Sequence, residues 1–261
     1  MNSYNYVRWI QSLIDTTSPS FTEHYCPSRQ VVGIDIGTGA SCIYPLLACA
    51  RRPAWRMYGL ELDEKSAECA QKNVILNHLL PKIQMIRTSE DGLLLPLGDM
   101  GLNTADFVIC NPPFFTSKEE MMGTFEDKKR SPNAVCTGAD IEMICPGGDL
   151  GFIGRIIDES VQLRERIQWY SAMPGKWSTV KVVVERLKKI GITNWAVGNI
   201  TPGGEELQKT QGTQRWVVAW SFGDLRPRMV RYLISLSSTY RIPSTSTQHL
   251  PRPGFTSCSS A

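Results

Sequence analysis

Apolar and polar positions in this chain fall into blocks whose period switches between that of a strand and that of a helix. Val31 to Ile36 is a short apolar run that ends in Gly37-Thr38-Gly39, the pattern of a buried strand meeting a tight turn. "SCIYPLLACARR" follows with apolar positions three and four apart and predicts a helix, with Pro45 confined to its first turn. "WRMYGLEL" predicts a second strand ending at Glu61. The acids that open "DEKSAECAQKNVILN" suit a helix N-terminus, so a helix is expected from about Asp63 to Asn77. "KIQMIRT" and "ADFVICN" read as the third and fourth strands. Strands and helices alternating in this way specify an α/β fold with a mostly parallel sheet and right-handed crossovers.

The pattern breaks over residues 112–148, which are rich in Pro, Gly and charge. That is long for a structureless connection and marks a functional segment. Periodicity returns with a helix in "DLGFIGRIIDESVQLRER" and a fifth strand in "IQWYSAM". "VKVVVERLKKIG" reads as a helix closed by Gly191 at its C′ position. "TNWAVGNI" and "QRWVVAWSF" read as two further strands, antiparallel neighbours at the end of the sheet. Residues 226–261 are basic and Ser/Thr/Pro-rich, bury little, and are expected to be a disordered tail behind a domain over residues 1–225. No internal repeat is visible.

Composition narrows the function classes. At 261 residues and 42% hydrophobic, the chain can bury a full core. No stretch reaches the roughly 18 uncharged apolar residues of a membrane span, and "MNSYNYVRWI" has no signal-peptide h-region, so no membrane partner is expected. The 8 cysteines are scattered without a CxxC pair and read as buried free thiols of a reducing compartment. With only His24, His78 and His249 to help them, no metal site is expected. From Gly223 onward five arginines face one acid, Asp224, so the chain end carries +4 and the preceding body −1. Any phosphate binding must therefore come from local patches.

Three strand ends carry candidate chemistry. Asp35 followed by Gly37-Thr38-Gly39 lets backbone pass close to a ligand where a Cβ would collide. Ligands of open parallel sheets sit beyond the carboxyl ends of the strands. The dinucleotide fingerprint is absent, because Cys42 occupies its third glycine position, and no P-loop lysine follows. A turn with glycines for conformational reasons alone stays open at this point. Glu61 offers a carboxylate that can accept both hydroxyls of a ribose. Asn111, after the fourth strand, offers a side-chain oxygen, and the Pro112 carbonyl adds an acceptor where no N–H competes. Such a pair of acceptors matches an –NH₂ group, and Phe114 or Phe115 can stack on the planar group that carries it.

GIDIGTGASCIYPLL, Glu61 and CNPPFF together resemble S-adenosylmethionine-dependent amino-methyltransferases, and more narrowly the RNA N6-adenosine methyltransferase family, with eukaryotic and bacterial ribosomal members. The likeness extends to "NYVRWIQSLI", "GGDLGFIGRIIDES", "QWYSAMPGK" and "QRWVVAWSF", from about Asn5 to Phe222. It implies a Rossmann-like class I methyltransferase with seven strands and helices on both faces. S-adenosyl-L-methionine is the implied cofactor, contacted through Asp35, Gly37, Thr38, Gly39, Glu61, Gly92 and Asn111. Asn111, Pro112, Pro113 and Phe114 correspond to the catalytic tetrad. The implied partner is RNA, with an unpaired adenosine in a structured context, and Phe115, Lys128, Lys129, Arg130 and Arg215 are the implied contacts, with Lys209 a further basic candidate. No metal is implied.

The chain departs from the family pattern at several places. Gly92 stands where Thr is usual, Asp91 where the autoinhibited members carry Lys, and Ser3 where an Arg near the donor is usual. A basic module ahead of NYVRW is expected in the family, so the chain is expected either to be truncated or to grip RNA otherwise. Rival readings are a release-factor type glutamine N5-methyltransferase, whose motif usually ends in Tyr, a DNA adenine methyltransferase, and a catalytically impaired RNA-binding homologue. The RNA is spliceosomal on the eukaryotic analogy and ribosomal on the bacterial one, and the location nucleus or cytoplasm.

Overall fold

The computed structural model of the chain describes residues 2–120, 144–200 and 215–227. Seven strands are present, β1 (Val31–Ile36), β2 (Trp55–Glu61), β3 (Ile83–Arg87), β4 (Ala105–Cys110), β5 (Ile167–Ala172), β6 (Asn194–Ile200) and β7 (Arg215–Ser221). They form one sheet in the order β3-β2-β1-β4-β5-β7-β6. β1 pairs in parallel with both β2 and β4, β2 with β3, and β4 with β5. β7 lies between β5 and β6 and runs antiparallel to both. The expected antiparallel neighbours are therefore present, with β7 inserted ahead of β6.

Among the described residues five α-helices cover the sheet: α1 (Asn2–Thr16), α2 (Ile43–Arg51), α3 (Glu64–Leu76), α4 (Gly148–Leu163) and α5 (Trp177–Lys189). One buried cluster joins α1, α2 and α3 to one sheet face through residues such as Tyr6, Ile10, Ala48, Val74, Phe107 and Trp169. The other joins α4 and α5 to the opposite face through Ile153, Ile157, Val183, Leu187 and Trp220. Nearly all of β1, β4 and β5 is buried, which is why these strands read as continuous apolar runs rather than alternating ones.

The helix ends obey local chemistry. Asp63 caps α3 by accepting from the Ser66 backbone N–H at 2.8 Å, so this acid precedes the helix it was expected to open. Gly191 (φ 81°) follows α5, with its own N–H donating to Lys188 O at 3.0 Å and the Ile192 N–H to Leu187 O at 2.9 Å. That is a Schellman closure, and it places buried Ile192 beside buried Leu187. α5 begins at Trp177, earlier than the apolar periodicity suggested. The tail from 228 onward lies outside the described residues.

α1 is an element to which the sequence analysis assigned no helix. Tyr6, Val7, Ile10, Leu13 and Ile14 form its buried stripe, at helical spacing. Its far end docks on β5 through the hydroxyl and carbonyl of Thr17. Thr17 Oγ1, in a residue only 1% exposed, donates to Leu13 O at 2.7 Å and accepts from Trp169 Nε1 at 3.0 Å. Gln168 Nε2 donates to Thr17 O at 2.6 Å. Replacing Thr17 by Val keeps the volume and leaves the buried indole N–H unpaired, which should cost about 1–3 kcal/mol. Urea unfolding followed by tryptophan fluorescence reads this as a lower midpoint with unchanged slope.

Candidate active site

Parallel pairing delivers three candidate residues to one edge. Asp35 is opposite Ile109 and Gly59, Ile36 opposite Cys110 and Leu60, and Glu61 opposite Arg87. The chain beyond β1 (Gly37), β2 (Glu61 itself) and β4 (Asn111) thus leaves neighbouring strands side by side. The edge includes the β1/β4 junction, where the strand order reverses, the place where α/β sheets bind ligands.

On the β1 side the site is a stapled turn. Gly37 (φ 67°) and Gly39 (φ 64°) occupy backbone conformations that disfavour other residues. Gly37 is exposed, and a Cβ built on it would meet nothing within 4 Å, so its outer side is open space. Thr38 N donates to Leu60 O at 2.9 Å and its hydroxyl to Asp35 Oδ2 at 2.6 Å. The two oxygens of Glu61 accept from the backbone N–H groups of Gly39 (2.8 Å), Leu62 (2.8 Å) and Asp63 (2.9 Å). Glu61 therefore ties the glycine turn to the start of α3.

Asp35 is fully buried, and burial pushes its carboxyl up to about 7, the Thr38 hydrogen bond opposing and the Glu61 charge adding to the rise. Its Oδ1 has no partner. Burial also raises the thiols of Cys42 and Cys49 to about 12, which keeps them protonated at neutral pH and out of nucleophilic chemistry. Cys42 holds a left-handed conformation (φ 51°) ahead of α2.

On the β4 side lies the Asn-Pro-Pro-Phe-Phe stretch. Asn111 Oδ1 is buried and, like Asp35 Oδ1, has no hydrogen-bond partner. Of the 5 such side-chain atoms among the described residues, these two stand at the carboxyl ends of adjacent strands. Unsatisfied buried acceptors cost stability and mark a place where a ligand donor fits. Phe114 is held on two sides. The Arg215 guanidinium sits 4.9 Å from its ring centroid, and a Cβ on Gly175 would come within 2.8 Å of the ring, so only glycine fits there without shifting it. Gly175 is itself fixed by Asp149, which accepts its N–H at 2.9 Å and the Thr179 hydroxyl at 3.2 Å. Phe115 bridges to Ile144, and its carbonyl accepts from Cys145 N at 3.0 Å. Pro112 is buried and Pro113 half-buried.

The loop after β3 completes the rim. Gly92 N donates to Ser89 O at 3.0 Å, and Gly92 O accepts from Arg155 at 3.2 Å. Glu159 accepts from the N–H groups of Leu94 (2.8 Å) and Leu95 (2.9 Å), so α4 fixes where this loop runs. Ser3 stands in the first turn of α1. Lys128, Lys129, Arg130 and Lys209 lie outside the described residues. Asp149, Gly175, Arg155 and Glu159 are the functional-edge residues that sequence reasoning missed. Their one signal was the "GGDLG" and "MPGK" glycines, which lacked a visible partner. Among the described residues there is no cluster of metal-ligating side chains, and no helix is long and apolar enough to cross a membrane.

Residues 2–224 match the model of a family described as RNA methyltransferase. A "U6 small nuclear RNA (adenine-(43)-N(6))-methyltransferase" of Schizosaccharomyces pombe is 37% identical over 91% of this chain and 56% of its own length. The hMettl16 catalytic domain in complex with the MAT2A 3′UTR hairpin 1 superimposes with a TM-score of 0.69 at 33% identity, over 85% of this chain and 70% of that one. The N-terminal domain of human METTL16 in complex with SAH gives a TM-score of 0.63 at 32% identity, over 85% and 70%. The chain spans about half the length of the curated relatives it matches. The fold is that of the class I, Rossmann-like methyltransferase domains.

Asp35 sets a pH test of the edge. Its folded value of about 7 lies above the usual 3.8, so folding retains a proton that the unfolded chain gives up. The folded state is then penalised progressively as pH rises from about 4 to about 7, and constantly above that. The stability difference between Asp35→Asn and the parent, measured by urea unfolding, should grow in favour of Asn across that window and level off above it. A flat difference would mean Asp35 ionises normally.

Proposed function

The chain belongs to the RNA methyltransferase family, and on that footing we propose that it transfers the methyl group of S-adenosylmethionine to N6 of an unpaired adenosine in structured RNA. The observation that carries the reading is Asn111: a buried side-chain oxygen without a partner, one strand over from an open glycine turn, with an aromatic ring two residues beyond Pro112. An acceptor so placed fits an exocyclic amine. The unit that does this is residues 1–225.

The donor site is built from this chain's residues. The open side of Gly37 and the unpartnered Asp35 Oδ1 fit a ligand that brings donors and positive charge, and the SAH held by a relative supports the same choice. Glu61 would take a ribose hydroxyl in the carboxylate that already gathers the turn, Thr38 and Gly39 shape the turn, and Gly92 closes the rim. When bound, the donor supplies a methyl group on a cationic sulfur, an electrophile that needs no covalent enzyme intermediate.

On the acceptor side Asn111 Oδ1 and the Pro112 carbonyl hold the two N–H groups of the adenine amine, Pro113 fixes the turn, and Phe114 stacks on the base. The amine keeps its lone pair directed at the methyl carbon, a bond forms there as the carbon–sulfur bond breaks, and N6 then sheds a proton to water. Positioning of this kind supplies about 7–11 kcal/mol of barrier reduction in favourable cases. The amine is paired in a duplex, so the adenosine must be unpaired or flipped. Arg215 now covers Phe114 and would yield that face to the base, with Phe115, Lys128, Lys129 and Arg130 on the flanking RNA. The names of the relatives favour a nuclear RNA of the U6 class, and hence the nucleus.

Labelled methyl donor offered with total RNA and with a protein extract tests the reading. Label should enter RNA as N6-methyladenosine, and Asn111→Ala should abolish it while circular dichroism stays unchanged. Label in protein glutamine would assign the chain to the release-factor type instead. Near-normal turnover by Asn111→Ala would refute the site.

Gly175→Ala supplies a finer check. The added methyl displaces the Phe114 ring, so kcat on RNA should fall by about ten- to a hundredfold. Donor affinity by calorimetry should stay at the parent value, because Gly175 touches no donor residue.

A further inference from the structure

The catalytic turn leaves β4 where its pairing with β1 still runs to Ile36↔Cys110 but its pairing with β5 has already stopped. The paired register of β4 with β5 runs Ala105↔Ile167 and Phe107↔Trp169 and ends there, although the strands continue to Cys110 and Ala172. The ends are joined instead through side chains. Ser171 Oγ donates to Val108 O at 2.6 Å and lies 2.8 Å from the Tyr6 hydroxyl. The serine's single proton is thereby committed to Val108, so the Tyr6 hydroxyl donates to Ser171. The Tyr6 oxygen in turn lies 3.5 Å from the Cys110 N–H and can accept from it. The chain of bonds runs Cys110 N–H, Tyr6 hydroxyl, Ser171 hydroxyl, Val108 carbonyl. Tyr6, Cys110 and Ser171 are all wholly buried. Beyond it a backbone bond from Met173 N to Cys110 O at 2.9 Å joins the two chains again.

We infer that Tyr6 is a positioning residue for methyl transfer: its hydroxyl, brought from α1 into the gap between β4 and β5, sets where Asn111 emerges. Cys110, the residue it touches, directly precedes Asn111. Its ring meets that of Tyr44 edge-on at 5.6 Å, so the same side chain also braces α2 behind the glycine turn. α1 therefore bears on both halves of the site through buried contacts of one side chain. Hydroxyl chains of this kind bind as a unit, and removing one member strands the others in a dry interior. The inference rests on the function proposed above, and its test separates the two.

Tyr6→Phe keeps the ring and its packing and deletes only the hydroxyl. Steady-state kinetics on RNA should show kcat lowered about tenfold, with KM for RNA and donor affinity by calorimetry unchanged. Hydrogen exchange at the Cys110 and Asn111 amides should quicken. Ser171→Ala breaks the same chain from the strand side and should do the same, and carries the test if Tyr6→Phe is insoluble. The double variant should lose no more kcat than one single, because both remove one unit. A lower melting temperature with parent kcat and parent exchange at Cys110 would make Tyr6 merely structural and overturn the inference. If the parent itself methylates no adenosine, the proposed function falls, while the amide exchange still decides whether Tyr6 holds the turn.

Discussion

Parallel pairing of β1 with β2 on one side and β4 on the other holds the site together. With Asp35 opposite both Gly59 and Ile109, the exits of the three strands fall in line, and Gly37 comes to lie between Glu61 and Asn111. Side chains on a strand alternate faces, so a slip of one residue in either pairing would turn Asp35 toward the other layer and move the asparagine along the edge. Two apolar clusters, one on each face, make such a slip costly. The precision of the edge is thus paid out of the core, away from the edge itself.

The edge also carries local disadvantages that the rest of the fold must outweigh. Two acceptors, Asp35 Oδ1 and Asn111 Oδ1, are buried unsatisfied. Cys42 holds a left-handed backbone next to the turn, a conformation in which a side chain is strained. Opposing these, Glu61 gathers three backbone N–H groups and the α4 carboxylates of Asp149 and Glu159 fix two loops. A rigid frame around an unsatisfied centre is what pre-organised binding requires, because a ligand then gains the missing bonds without reordering the protein.

Much of this could be read from the amino-acid string, for local reasons. Buried parallel strands make short apolar runs, glycine pairs after them make turns, and the Asn-Pro-Pro-Phe stretch has few other uses at a strand end. α1 was legible but not assigned, since Tyr6, Val7, Ile10, Leu13 and Ile14 already stand at helical spacing in the sequence. The Asp63 boundary moved by one position because an acid serves equally as cap and first turn. The supports of Phe114 and of the Leu94 loop join residues 26 and 65 apart in sequence, and no periodicity reports such distances. Arg215 was singled out as a basic residue, but its seat on the Phe114 ring depends on β7 being threaded between β5 and β6.

That threading divides the molecule's labour. Because β7 runs against β5, its first residue, Arg215, and the last of β6, Ile200, face each other at the same edge as Asn111. The segment between them and the long stretch between β4 and α4 both start and finish there, whereas several connections at the opposite edge are short, such as Arg164–Arg166 ahead of β5. Insertions and deletions in these two connections can remodel this edge without touching the strands that fold the domain. Across a lineage, the rim of the sheet and the sheet itself are then free to diverge at different rates.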